Sequence, residues 1–172
     1  MGVGGFLDVV RRSQHSILDC NQGSVLKVLY LIGSLRNPEV PKIGNMLREV
    51  GFEVFDDWYG AGEIADDSWQ KYEQGRGRSY GGALHGLASK QIVGFDYTHL
   101  QRCDGAVLVM PAGKSGHMEL GLVMGQGKPG FVLFNGEPER WDQMYGLTML
   151  SGGGVAFSTD ALIPNLRKVF LV

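Results

Sequence analysis

Two acidic residues in this chain stand where a carboxylate can act on a bound ligand. Glu119 lies in Ala112-Gly113-Lys114-Ser115-Gly116-His117-Met118-Glu119-Leu120-Gly121, a run of small residues passing from a loop into a helix. Asp96 lies in Phe95-Asp96-Tyr97-Thr98-His99-Leu100-Gln101-Arg102-Cys103-Asp104, a helical stretch that leads into a strand. If that helix runs antiparallel to the strand, Asp96 reaches the cleft that Glu119 faces. The two then form a carboxylate pair, one member nucleophile and the other proton manager. A plainer reading stands beside this one, because an acid in the first turn of a helix also complements its dipole. His117 fits a hydrogen bond to ligand or to backbone equally well, and Asp104, at a strand start, reads as a structural cap.

A second group suits anions. Tyr30-Leu31-Ile32-Gly33-Ser34-Leu35-Arg36-Asn37-Pro38 ends an apolar run and enters a helix. Gly33 leaves room at the backbone, while Ser34, Arg36 and the helix N-terminus can hold a negative group. The alternative is an ordinary capped turn with a surface arginine. Gly113-Lys114-Ser115 resembles the end of a phosphate-binding Walker loop, but the glycine required five residues earlier is Leu108. Gly60-Ala61-Gly62-Glu63-Ile64-Ala65 follows the wrong strand for a dinucleotide fingerprint. His15, His85, His99 and His117 are scattered, and Cys20 and Cys103 form no C-x-x-C, so neither a metal nor another cofactor is expected.

These residues need elements to position them. Val25 to Ile32, Phe52 to Phe55, Val107 to Met110, Phe131 to Phe134 and Val155 to Phe157 read as strands. Their near-continuous apolar character suits a parallel sheet covered on both faces. Helical spacing marks Pro38 to Val50, Ser115 to Gly125 and a last helix capped by Asp160. The alternation predicts an α/β class: a flavodoxin-like, doubly wound, five-stranded parallel sheet of order 2-1-3-4-5 with helices on both faces. Residues 1–24 are expected to be an N-terminal extension and 25–172 one domain, with an inserted helical or loop segment at about 59–95. That segment holds Gly60, Gly62, Gly75, Gly77, Gly81, Gly82, Gly86 and Gly94, so its helices should be short. Lid, oligomer arm and plain connector all fit it.

Composition narrows the function. With 16 basic and 18 acidic residues in 172, the formal charge is −2, which gives no basic footprint for a nucleic acid polymer or an anionic membrane. No apolar run approaches the ~18 residues of a membrane span, and a reduced, cytoplasmic protein is the expectation. Glycine, 27 of 172 residues, is about twice its usual share. A hydrophobic content of 44% places those glycines in a folded chain.

From Tyr30 to about Thr148 the chain resembles the nucleoside 2-deoxyribosyltransferase family. The matching residues are Tyr30, Gly33 and Ser34; Asp96 eight residues before Asp104; and Gly116-His117-Met118-Glu119-Leu120-Gly121. The resemblance implies N-glycosidic bond chemistry. The residue matching Glu119 attacks the anomeric carbon, the one matching Asp96 binds and protonates the departing base, and the one matching Tyr30 orients the nucleophile. Another base (transfer) or water (hydrolysis) resolves the glycosyl-enzyme with net retention. Trp58 and Tyr59 are candidates for stacking on the base, and an aromatic cluster is the equal alternative.

The departures from the family pattern bear on substrate. Transferases of the family often carry an acid six positions before the nucleophile, where this chain has Gly113. The related 2'-deoxynucleoside 5'-monophosphate N-hydrolases use a Gly-Ser-x-Arg turn, which Gly33-Ser34-Leu35-Arg36 resembles, and a loop serine approximated by Ser115. Lys114 would add a phosphate contact. The family's sites are completed by a neighbouring subunit, which points to Trp141, Asp142 and Tyr145 and to a homo-oligomer. A non-catalytic nucleotide-binding module is the rival from another class, and the joint presence of Glu119, Asp96 and Tyr30 argues against it.

Overall fold

The computed structural model describes residues 26–171; the expected N-terminal extension lies outside them. Five strands, β1 (Val28–Ile32), β2 (Glu53–Phe55), β3 (Gly105–Val109), β4 (Gly130–Leu133) and β5 (Gly154–Ala156), form one sheet of order β2-β1-β3-β4-β5. Every neighbouring pair is parallel, with Tyr30 beside Phe55 on one side and Ala106 on the other. The protein is therefore an α/β protein of flavodoxin-like topology, as the alternating pattern predicts. The loops after β1 and β3 emerge side by side at the carboxyl edge of the sheet, where such folds place ligands.

Successive side chains of a strand point to opposite faces, and this divides the core in two. Leu29 and Leu31 face α1 (Glu39–Glu49) and α7 (Thr159–Phe170), packing with Val40, Ile43, Leu47, Leu162 and Leu166. Tyr30 and Ile32 face α4 (Leu87–Arg102) and α5 (Lys114–Gly125), packing with Leu100, Leu120 and Val123. Asp104 holds the entry to β3 against β1: its Oδ2 accepts from the Val28 N–H at 2.8 Å and its Oδ1 pairs with Lys27 at 3.3 Å.

Two sequence expectations need correction. Ser158, not Asp160, caps α7, its Oγ accepting from the Ala161 N–H at 3.2 Å; Asp160 lies inside the first turn. The segment at 59–95 is also more helical than its glycines predict. It contains a 3-10 turn (Asp57–Ala61), α2 (Ala65–Gly75) and α3 (Tyr80–Leu84), and after a turn at His85 and Gly86 it enters the 16-residue α4. Packing compensates for the weak propensity. The buried Glu73 carboxylate pairs with Arg78 at 3.0 Å, and the Arg78 side chain fills the space beside Gly86.

Candidate active site

Tyr30, Asp96 and Glu119 come together from three elements on one face of the sheet. Tyr30 is the middle residue of β1, only 1% exposed, with its ring 5.0 Å from that of Phe55. Asp96 is in α4 and Glu119 in α5, two helices that touch each other. Glu119 is the sixth residue of α5 and lies beyond its first turn, so the helix-dipole account of this acid weakens.

The electrostatics mark these three as one unit. Burial pushes the Glu119 carboxyl up to about 7, with the charge on Asp96 adding to the effect. Burial also raises Asp96, against the pull of the Tyr30 hydroxyl and of His99. Tyr30 is driven far above the ordinary phenol range, first by burial and then by the charges on Glu119 and Asp96. Among the described residues, the buried Asp96 Oδ1 has no hydrogen-bond partner, although buried carboxylate oxygens are almost always paired. The Asp96 charge beside a desolvated Glu119 favours a proton on Glu119, and two acids with such different environments are the arrangement from which a nucleophile and an acid can be drawn.

A second region lies at the carboxyl edge of β1 and β3. Ser34, Arg36, Asn37, Pro38, Pro111, Ala112 and Gly113 line an open cleft of about 430 Å³. Gly113 is the N-cap of α5 and offers no side chain to its free N–H groups, which leaves them open to an anion. Ser34 Oγ accepts from the Arg36 N–H at 3.2 Å, and the Arg36 guanidinium pairs with Asp67 of α2 at 2.8 Å.

Several residues singled out in the sequence take other positions. The room at Gly33 is taken up by packing: a Cβ there would meet Val40 Cγ2 at 2.5 Å, so the glycine lets α1 close on the sheet. Gly116 similarly lets α5 settle on Ile32 and Leu108, which a Cβ would meet at 3.0 and 3.1 Å. Trp58 is pinned by its indole N–H to the Leu31 carbonyl at 2.8 Å and lies edge-on to Tyr59. His117 joins the loop after β3 to the 3-10 turn Gln143–Gly146, which leads into the short α6 (Leu147–Leu150). Its Nδ1 lies 2.8 Å from the Gly113 carbonyl and its Nε2 2.9 Å from the Tyr145 hydroxyl. A carbonyl only accepts, so Nδ1 carries the proton and Nε2 accepts from Tyr145.

Tyr145 is thus engaged within its own chain, its ring edge-on to Phe134. Asp142 Oδ1 accepts from the Met144 N–H at 2.9 Å. Trp141, Lys114 and Ser115 are exposed.

Three residues emerge only in the structure. Buried Asn37 donates from Nδ2 to the Met110 carbonyl and accepts from the Glu39 N–H, joining the two cleft loops. His99 stacks on Phe55 at 3.7 Å, one helical turn from Asp96, a spacing that could have flagged it. Asp67 had no such signal.

Fold and site together define the class: a flavodoxin-like α/β protein with a carboxylate pair beside Tyr30 of β1 and a cleft at the sheet's carboxyl edge. Among solved structures, the chain is similar to the Clostridium botulinum CMP N-glycosidase BcmB. The TM-score is 0.51 at 17% identity, and the match covers 82% of this chain and 99% of that one. At that identity the likeness establishes the fold. No protein-family model and no curated protein matches the sequence.

Proposed function

We propose that the protein cleaves the N-glycosidic bond of a nucleoside 5'-monophosphate or nucleoside. The observation that carries this reading is the desolvated Glu119–Asp96 pair beside Tyr30, set on two touching helices with Asp96 Oδ1 buried and unpartnered among the described residues. The proton that burial favours on Glu119 passes to Asp96 as substrate enters, and the ionised Glu119 attacks the anomeric carbon as the bond to the base breaks. Asp96, protonated, gives its proton to the departing base. The products of this half-reaction are a glycosyl ester on Glu119, a neutral base and an Asp96 carboxylate. Asp96 then takes a proton from water, the resulting hydroxide displaces the ester, and the starting protonation is restored; an acceptor base in place of water gives transfer. Tyr30 orients Glu119. The likeness to a CMP N-glycosidase supports this reaction class.

The 5' end is assigned to the cleft of Ser34, Arg36 and the uncapped start of α5, whose donors favour a phosphate. Trp58 is assigned to the base side and Ser115 to the substrate, and His117 holds the loop after β3 to Tyr145. A homo-oligomer is part of the proposal, with Trp141, Asp142 and Tyr145 near its contact. Outward-facing Leu87, Ile92 and Val93 of α4 and Met118 of α5 support it. Ribo- and deoxyribonucleosides and their 5'-monophosphates, incubated with and without an acceptor base and separated by chromatography, test the reaction. Free base from at least one substrate is expected, and tight binding with no base released over hours overturns it.

A further inference from the structure

The geometry points to Asp67 as a specificity-determining residue, which occupies the Arg36 guanidinium and sets how far the cleft favours a 5'-phosphate over an uncharged 5'-hydroxyl. This inference rests on the nucleotide reading of the cleft. Arg36 lines the cleft, while Asp67 stands outside that lining and reaches it from the first turn of α2, with its Oδ2 2.8 Å from Arg36 Nη2. A carboxylate and a phosphate ask for the same planar fork of N–H donors, so they compete for it. The two side chains are 64% and 50% exposed, and a pair so open to solvent is weak enough for a ligand to break.

A monophosphate entering the cleft must therefore detach Asp67 from Arg36 or share the guanidinium with it, and in both cases two negative charges are brought close. A nucleoside meets neither cost. The effect acts through Arg36, so Asp67 is a positioning residue. Its neighbour Asp66 supplies the control: it lies in the same first turn and complements the same helix dipole, but Arg36 pairs with Asp67.

The test measures dissociation constants by calorimetry for the full-length chain, with the ribo- and deoxyribonucleoside 5'-monophosphates of the common bases and the matching nucleosides. KM and kcat are read wherever base is released. Asp67→Asn is expected to shift the affinity ratio toward the monophosphate by roughly three- to tenfold, and more at low salt. The change should appear in KM with kcat held, Asp67→Glu should restore the wild-type ratio, and Asp66→Asn should leave it alone. In an Arg36→Ala background the Asp67→Asn shift should shrink. An unmoved ratio, a shift toward the nucleoside, or an equal response to Asp66→Asn overturns the inference while the nucleotide reading stands. If the wild type binds neither ligand class, the nucleotide reading itself falls, and this inference with it.

Discussion

The two helical layers of the protein are built on opposite plans. On one face, α1 and α7 turn Val40, Ile43, Leu47, Leu162 and Leu166 inward, as surface helices ordinarily do. On the other, α4 buries only Leu100 fully, turns Asp96 inward, and leaves Leu87, Ile92, Val93, Phe95 and Tyr97 exposed. Beside it α5 contributes Glu119 from within and Met118, 77% exposed, from without. The first layer spends its sequence on the core. The second gives up part of its apolar burial to hold carboxylates against the sheet, an arrangement that costs stability and on which the proposed site rests.

Substitutions in each layer should therefore fail in different assays. The largest effect is expected from Glu119→Ala, which should lower base release by roughly a thousandfold or more while the protein still folds; retained turnover would remove the nucleophile assignment. Leu47→Ala, in the opposite layer, should do the reverse. It should cost about 2–4 kcal/mol in urea unfolding, with turnover per folded molecule intact.

Glu119→Gln sharpens the contrast through pH. The folded-state pKa of Glu119, about 7, lies above its ordinary 4.5, so the fold favours the protonated acid. Its stabilising contribution is complete below about pH 4.5 and is lost as pH rises through 7. The glutamine variant never charges. Its advantage in thermal melts should be small near pH 4.5, grow toward pH 7 and level off above it, reaching on the order of 2 kcal/mol. A constant difference across that range would contradict the buried charge. The smallest effect belongs to the cleft: Arg36→Ala should weaken monophosphate binding by about tenfold relative to the nucleoside, measured by calorimetry.

What the sequence reveals follows the same division. The layer built on ordinary amphipathic spacing is legible: α1 runs from Glu39 to Glu49 against a reading of Pro38 to Val50. The sheet order is legible too, because parallel strands covered on both faces read as apolar runs. β3 starts earlier than expected because its first residue is Gly105, where a Cβ would meet the Phe170 ring at 2.5 Å; packing against α7 selects a residue with no strand signal. The length of α4 is hidden by Gly94 and by apolar residues on its outer side, which blur the 3.6-residue period. The glycines that lead into β5 answer to geometry as well, since Gly152 has φ +85° and a Cβ on Gly153 would collide with the Gly130 carbonyl.

In the site, Tyr30, Asp96 and Glu119 carry recognisable spacing in the sequence, and the structure brings them together. The long-range ion pairs elsewhere in the fold carry no such signal: Asp67 reaches Arg36 across 31 residues and Lys27 reaches Asp104 across 77, pairings set by chain crossing rather than local pattern.

The bond from the Trp58 indole to the Leu31 carbonyl has a practical consequence. The ring is anchored at the end of β1, and its far edge lies 3.7 Å from where a Cβ on Gly33 would sit. The chain thus carries a fixed chromophore beside the turn that opens the cleft. With Trp69 and Trp141 replaced by phenylalanine, its emission should report, without any added label, when that turn shifts.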